Sequence, residues 1–144
     1  MTYHQLALIH LATVLPAFLI GTYLLLRRKG TPWHKRLGRV YLVLMIVTGT
    51  VTLFMPASVG PQIVGHFGFI HIFSLATLYS APAAYFAARR HDVRAHRIAM
   101  IILYVGGLLI AGGFAFAPGR MLNKQFIASE PAAGALQAIA APAR

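Results

Sequence analysis

The chain has 144 residues, 58% of them hydrophobic, and its 13 basic and 2 acidic residues give a formal net charge of +11. Such a composition is far from that of soluble proteins. The absence of cysteine excludes disulfides, thioether-bound haem and thiolate-held iron–sulfur clusters. The two carboxylates, Asp92 and Glu130, both lie outside the apolar stretches described below, so a paired-carboxylate site in the membrane is excluded as well.

Four apolar stretches are each long enough to cross a bilayer, which takes about 20 helical residues. They contain acidic or basic residues only where a basic cluster begins at one end, and they cover residues 5–26, 38–56, 63–88 and 96–117. The sequence therefore predicts an all-α integral membrane protein. We expect one transmembrane domain over residues 1–120, followed by a loosely ordered tail rich in Ala and Pro over residues 121–144.

The first two predicted helices carry recognisable boundary signals. Pro16 lies in the middle of the first, and a basic run at residues 27–29 follows it as a stop-transfer signal would, so we expect a retained span and not a cleaved signal peptide. The second helix ends at Pro56. Its middle contains small and hydroxylated residues, which allow helices in membranes to approach and to hydrogen-bond: Thr48, Gly49, Thr50 and Thr52.

The third and fourth predicted helices contain helix-perturbing or small residues. The third begins near Ile63, and we expect Pro82 to kink its far end. In the fourth, Ala99, Gly106 and Gly113 recur every seven residues, which places them on one smooth helix face. Such a face suits a neighbouring helix or a flat cofactor.

The basic residues are concentrated in two of the three predicted loops. Six lie between the first and second helices and four between the third and fourth, namely Arg27, Arg28, Lys29, Lys35, Arg36, Arg39, Arg89, Arg90, Arg94 and Arg97. This distribution follows the positive-inside rule. It predicts an up-down-up-down bundle with cytoplasmic basic loops and both termini outside. The positive charge therefore reflects how the chain is oriented in the membrane, and it attracts anionic lipids. We do not expect nucleic-acid binding.

Histidine is the side chain most able to carry chemistry within these apolar stretches, where ionisable groups are costly. On the predicted topology, His10, His66 and His71 lie in the outer half of the bilayer. His71 and Ser74 form an i, i+3 stripe, so we expect His71 to face inward with His10 as its partner at equal depth. Such a pair suits the axial ligation of a b-type haem iron or the hydrogen bonding of a quinone. The competing interpretation is a structural role, in which the rings only hydrogen-bond between helices.

A second histidine layer is predicted at the inner interface. His34 and His96 both begin helices there, beside Arg39 and Arg97. Helix N-termini and guanidinium groups favour anions. We therefore expect an anionic group, such as a lipid phosphate, at this inner site in preference to a second haem.

Four blocks of sequence together resemble a known family. They are GTPWHKRLGRVY at residues 30–41, GFIHIFSL at 68–75, Ala95-His96-Arg97 with Met100, and Pro118-Gly119-Arg120. These blocks are similar to the bacterial membrane family catalogued as domain of unknown function 2306, over about residues 1–122. The resemblance implies a four-helix protein of the bacterial inner membrane without an established activity. It makes His34, His71, His96 and Arg120 family-like positions, whereas His4 and His91 lie outside the matching blocks.

The two histidine layers also give a looser, architectural likeness to four-helix b-type cytochromes of the cytochrome b561 group. That group holds one haem near each membrane face between histidines of facing helices, although its ligands lie well within the helices, whereas His34 and His96 lie at helix starts.

The residues and their pattern are compatible with three functions. The first is a small redox-linked protein that binds haem b or quinone through His10, His71 and Ser74, with Arg120 pairing with a haem propionate. The second is a non-catalytic accessory or assembly subunit of a larger membrane complex or homo-oligomer. The third is a metal-handling or transport protein. The sequence contains no motif of a known enzyme class, so it does not decide whether the protein is an enzyme.

Overall fold

A computed structural model describes residues 2–56, 62–65 and 67–114, and these are mostly helical. The elements in chain order are α1 (Tyr3–Leu26), α2 (Pro32–Leu53), β1 (Gln62–Val64), β2 (Phe67–Gly68), α3 (His71–Arg89) and α4 (Val93–Gly113). By contacts the chain divides into two compact units, Met1–Gly112 and Gly113–Arg144. Only residues 113 and 114 of the second unit are described, so the predicted tail at 121–144 lies outside the described residues.

Each of three helices begins at a polar cap. Thr2 and Gln5 form a reciprocal capping box at the start of α1. The Thr31 hydroxyl caps α2 and Pro32 occupies the first turn, where its missing N–H is not needed. Asp92 caps α4. Because each cap satisfies backbone N–H groups that would otherwise lack partners, the helix starts are fixed locally by sequence.

The third predicted span differs from the structure at its beginning. Helix α3 starts at His71, because residues 62–64 pair in an antiparallel hairpin with residues 67–68. The turn between the two strands contains Gly65 with a φ of 56°, a left-handed conformation that favours glycine. The hydrophobicity of residues 63–70 was therefore compatible with a helix, but the local turn prevents one.

Three described helices, α1, α2 and α4, are long and apolar enough to cross a membrane. Helix α3 is not in this group, because it contains many polar and small residues. These residues are largely hidden from solvent, and the buried positions are His71, Ser74, Thr77, Ser80, Ala81, Ala84 and Ala87. Helix α3 is thus suited to packing among other helices and not to an entirely apolar environment.

Within the first unit, α2 packs against α1 and α3, and α4 packs against α3 and α1. Tyr41, Met45 and Leu103 are the largest fully buried side chains. A Cβ atom on Gly21 of α1 would lie 2.9 Å from the rings of both Tyr41 and Tyr104. Glycine therefore allows α1 to contact these two rings closely.

Helix α4 contains a π-helical segment over Ile102–Ile110. The wider turn changes the angle between successive residues, so the seven-residue spacing no longer returns to one face. Accordingly, the tight contact is at Gly107, where a Cβ would lie 2.8 Å from Thr77 Oγ1 and 2.9 Å from Met45 Cε. A Cβ on Gly106 would meet only Phe73, at 4.0 Å, and one on Gly113 would meet nothing. The smooth face expected from the sequence is therefore shifted by one residue.

Candidate functional site

Hydroxyl groups join α1 to α2 within an otherwise apolar region. The Thr48 hydroxyl of α2 donates to Thr13 Oγ1 of α1 at 2.6 Å. Thr13 in turn donates to the backbone carbonyls of His10, at 2.9 Å, and of Ile9, at 3.0 Å. The backbone of His10 is therefore connected to α2 through two threonines.

A second hydroxyl contact joins α2 to α3. The Thr52 hydroxyl donates to the carbonyls of Thr48, at 3.0 Å, and of Gly49, at 2.9 Å, and its oxygen lies 2.8 Å from Ser74 Oγ. Because the single Thr52 proton is already used, Ser74 is the donor in the last contact. We refer to Thr13, Thr48, Thr52 and Ser74 as the hydroxyl ladder. It links three helices at the end of the first unit that carries His10 and His71.

His71 is only 4% exposed, and both ring nitrogens have backbone partners. The Gly68 N–H donates to Nδ1 at 3.1 Å, and Nε2 lies 3.1 Å from the Met55 carbonyl oxygen. The Gly68 carbonyl oxygen also lies 3.3 Å from Nδ1, but the Gly68 N–H is nearer and can only donate. The contacts are therefore best satisfied with Nδ1 as the acceptor and Nε2–H as the donor to the Met55 carbonyl. The ring thus connects the start of α3 to the segment that follows α2 by hydrogen bonds. Iron ligation by His71 would require it to give up one of these hydrogen bonds.

His10 has different surroundings from His71. Its Nδ1 is buried without a hydrogen-bond partner, and neither ring nitrogen is hydrogen-bonded to any residue in the described part of the chain. Thr13 pairs with Thr48, whereas Ser74 pairs with Thr52, four residues further along α2. Four residues correspond to about 6 Å of helix rise. The described contacts therefore place His10 and His71 at depths that differ by about one turn and show no hydrogen bond between them.

The predicted inner residues lie at the opposite ends of the helices. His96 Nδ1 donates to the Ala84 carbonyl at 2.9 Å and so joins α4 to α3. His34, in the first turn of α2, has a buried Nδ1 without a partner among the described residues. His34 lies in the first turn of α2 and His96 in the first turn of α4. The structure thus brings His34 and His96 to one end of the first unit.

The two predicted arginines of the inner site are exposed. Arg39 Nε donates to the Lys35 carbonyl at 3.3 Å, on its own helix. No hydrogen bond from Arg97 to another described residue is found. Neither arginine is in a described hydrogen bond with His34 or His96. The four residues therefore share one end of the helices without a direct polar contact between arginine and histidine.

The remaining predicted residues do not take part in these clusters. Arg120 and His66 lie outside the described residues. His4 and His91 are exposed, and His91 adopts a φ of 60° in the turn between α3 and α4. Across residues 2–56, 62–65 and 67–114, no group of three or more His, Cys, Asp or Glu side chains could hold a metal ion.

Sequence reasoning did not identify a buried tyrosine cluster. Tyr41 is fully buried, and its hydroxyl has no partner among the described residues. The Tyr104 hydroxyl lies 2.7 Å from Thr22 Oγ1, and Thr22 donates to its own helix through the Phe18 carbonyl at 2.8 Å. One signal for the burial of Tyr41 was present in the sequence. His34, Tyr41 and Thr48 recur every seven residues, which places them on one side of α2.

Comparison with known proteins identifies the family. The family model described as "Predicted membrane protein (DUF2306)" matches residues 7–140. Because this match covers most of the chain, the protein belongs to that family. No curated protein and no solved structure matches the chain.

Proposed function

We propose that this member of the DUF2306 family is a redox-linked protein of the bacterial inner membrane that binds a quinone head group beside His10. All four long helices would cross the bilayer in an up-down-up-down order, with both termini outside. The distribution of the basic residues supports this topology. Helix α3 has 19 residues and is therefore about 28 Å long, close to the thickness of the hydrocarbon core. Its polar side is covered by α2 and α4.

The observation that carries the proposal is the unpartnered imidazole of His10 beside the hydroxyl ladder. A polar ring in a membrane helix is costly unless it finds a partner. The ladder already satisfies the neighbouring hydroxyls. Because Nδ1 of His10 is buried, a ligand would bind this ring through Nε2, which is not among the buried atoms. A quinone carbonyl accepts one hydrogen bond and lies on a flat ring, and a single imidazole N–H matches that need.

A b-type haem fits the described contacts less well. Two axial imidazoles need two free ring nitrogens, and both nitrogens of His71 bind backbone groups. The depth offset between His10 and His71 also argues against a shared iron. The likeness to the cytochrome b561 group is therefore a likeness of architecture, and the quinone is the better-supported ligand.

The residues of the chain have separate roles in this proposal. His10 donates a hydrogen bond from its ring and orients the ligand. The hydroxyl ladder fixes α1 relative to α2 and α3, and His71 fixes the start of α3 through its two backbone contacts. A bound quinone would supply two-electron redox chemistry, which no side chain of the protein provides.

The test is titration of the purified full-length protein, in a neutral detergent, with a short-chain quinone followed by calorimetry. We expect His10→Ala to weaken binding about tenfold, since one hydrogen bond of ~1.4 kcal/mol is lost. His4→Ala is the matched control, because His4 lies on the same helix and is exposed. Equal weakening in the two variants, or no binding by the wild-type protein, would refute the proposed site.

An absorption spectrum separates quinone from haem. With haem supply assured during expression, we expect no b-type α-band in the dithionite-reduced protein. A strong band that is lost in His71→Ala would replace the quinone proposal by the haem hypothesis. A colourless protein that also fails to bind quinone would favour the accessory-subunit hypothesis.

A further inference from the structure

The end of the first unit that contains His34 and His96 has a large unbalanced charge. Ten basic residues lie at this end: Arg27, Arg28, Lys29, Lys35, Arg36, Arg39, Arg89, Arg90, Arg94 and Arg97. The only carboxylate in the described part of the chain, Asp92, accepts the Ala95 N–H at 2.9 Å as the cap of α4. No ion pair is present among these ten residues and Asp92. Anions from outside the described chain must therefore balance most of this charge.

The hydrogen bonds of the basic side chains do not supply a counter-charge. Lys29 Nζ donates to the Leu25 carbonyl at 2.6 Å, and Arg90 Nε donates to the Phe86 carbonyl at 3.5 Å. Arg39 uses its Nε in the same way, at 3.3 Å from the Lys35 carbonyl oxygen. This contact holds the Arg39 side chain along α2 and leaves its two terminal nitrogens available to an anion.

Arg39 is at one end of an open groove on α2. The groove is shallow and open, and only residues of α2 line it, with apolar surface: the stem of Arg39, Val40, Val43 and Leu44. Val40 is 48% exposed and Val43 is 60% exposed, so this face of α2 is not covered by the other described helices. The guanidinium lies nearer the start of α2, and the apolar residues lie further along the helix. A cation near the interface above an apolar groove matches the two chemical parts of a phospholipid.

We propose that this groove binds one anionic phospholipid, with the phosphate on Arg39 and an acyl chain along Val40, Val43 and Leu44. The surrounding basic residues raise the local concentration of anionic lipid. Arg39 selects the phosphate, since a guanidinium forms paired hydrogen bonds with its oxygens. The apolar lining selects an acyl chain over a free phosphate ion. The site is separate from the proposed quinone site and does not depend on it.

The test uses native mass spectrometry of the full-length protein with phosphatidylglycerol, with phosphatidylcholine as the neutral lipid and with inorganic phosphate alone. We expect binding of phosphatidylglycerol in preference to phosphatidylcholine. Arg39→Gln should weaken phosphatidylglycerol binding about fivefold, the factor expected for one basic residue near an anionic surface. Arg28→Gln removes the same charge from the same end of the protein without touching the groove and should have a smaller effect.

A second pair of variants tests the groove itself. Val43→Trp should fill the groove and weaken phosphatidylglycerol binding, whereas Leu75→Trp, at a similarly exposed apolar position on α3, should not. Equal effects of Arg39→Gln and Arg28→Gln would show general charge attraction and overturn the proposal. No effect of Val43→Trp would also overturn it. Competition by inorganic phosphate at equal concentration would identify a free-phosphate site instead of a lipid site.

Discussion

At the scale of single residues, the buried polar atoms without partners are the most informative. The described residues contain three such atoms, His10 Nδ1, His34 Nδ1 and the Tyr41 hydroxyl. A buried polar group without a partner costs about 1–3 kcal/mol. We therefore expect Tyr41→Phe, which keeps the ring and removes the hydroxyl, to raise the free energy of unfolding by about 1 kcal/mol. The measurement is an equilibrium unfolding titration in detergent.

Tyr104→Phe is the control for that prediction. The Tyr104 hydroxyl lies 2.7 Å from Thr22 Oγ1, and Thr22 already uses its own proton for the Phe18 carbonyl, so Tyr104 is the donor. Its removal should lower the free energy of unfolding by about 1 kcal/mol. If Tyr41→Phe destabilised the protein as much as Tyr104→Phe does, the Tyr41 hydroxyl would have a partner in solution.

The sequence indicated which side chains could bind a ligand, but not which hydrogen bonds the histidine ring nitrogens make. The spacing of His71 and Ser74 predicts that they share one side of a helix, and both are buried in the structure. The state of the His71 ring depends on Gly68 and Met55, which lie in segments that helical periodicity does not position. For that reason the sequence left His71 open as an iron ligand, whereas its contacts favour a structural role.

At the scale of elements, close helix contacts depend on where glycine lies relative to large rings. Gly21 contacts Tyr41 and Tyr104, and an added Cβ would lie 2.9 Å from each ring. We expect Gly21→Ala to lower the free energy of unfolding by about 1–3 kcal/mol, because the rings must move. Nothing lies within 4 Å of a Cβ on Gly38. Gly38→Ala should therefore raise the free energy of unfolding by up to about 0.8 kcal/mol through helix propensity.

Thermal unfolding of the two variants, side by side in one detergent, measures this difference. Opposite shifts of the midpoint are expected. A similar destabilisation by both variants would mean that Gly38 is also in close contact, for example with a neighbouring molecule.

The hydrophobic stretches placed the second and fourth helix starts at residues 38 and 96, whereas the helices begin at Pro32 and Val93, directly after polar caps. The caps at Thr2, Thr31 and Asp92 coincide with the starts of α1, α2 and α4. Hydrophobicity alone placed the start of the third helix at residue 63, eight residues before α3 begins at His71. The π-helical segment of α4 could not be inferred from its composition, since π-helices have no comparable sequence signal. Because of this segment, Gly107 and not Gly106 is in close contact with α2 and α3.

At the scale of the whole molecule, composition and charge predicted a helical membrane protein, and the family match and three apolar helices confirm that class. The number of spans remains a prediction, because the third stretch is less apolar than the others. Its polar residues lie among α2 and α4, and packing of this kind cannot be derived from hydrophobicity along the chain. The ligand, likewise, depends on contacts between helices and not on any motif.

The accessibility of single cysteines on each side of the membrane distinguishes four spans from three. If α3 crosses the membrane, the loop after α1 and the start of α4 lie on the same, cytoplasmic side; if it does not, they lie on opposite sides. The chain has no cysteine, so single cysteines can be labelled without background. We expect a membrane-impermeant maleimide to label Thr2→Cys in intact spheroplasts, and to label Trp33→Cys and Val93→Cys only after permeabilisation. Labelling of Val93→Cys in intact cells, with Trp33→Cys protected, would leave α3 outside the membrane and would remove the predicted topology and the depth assignment of both proposed sites.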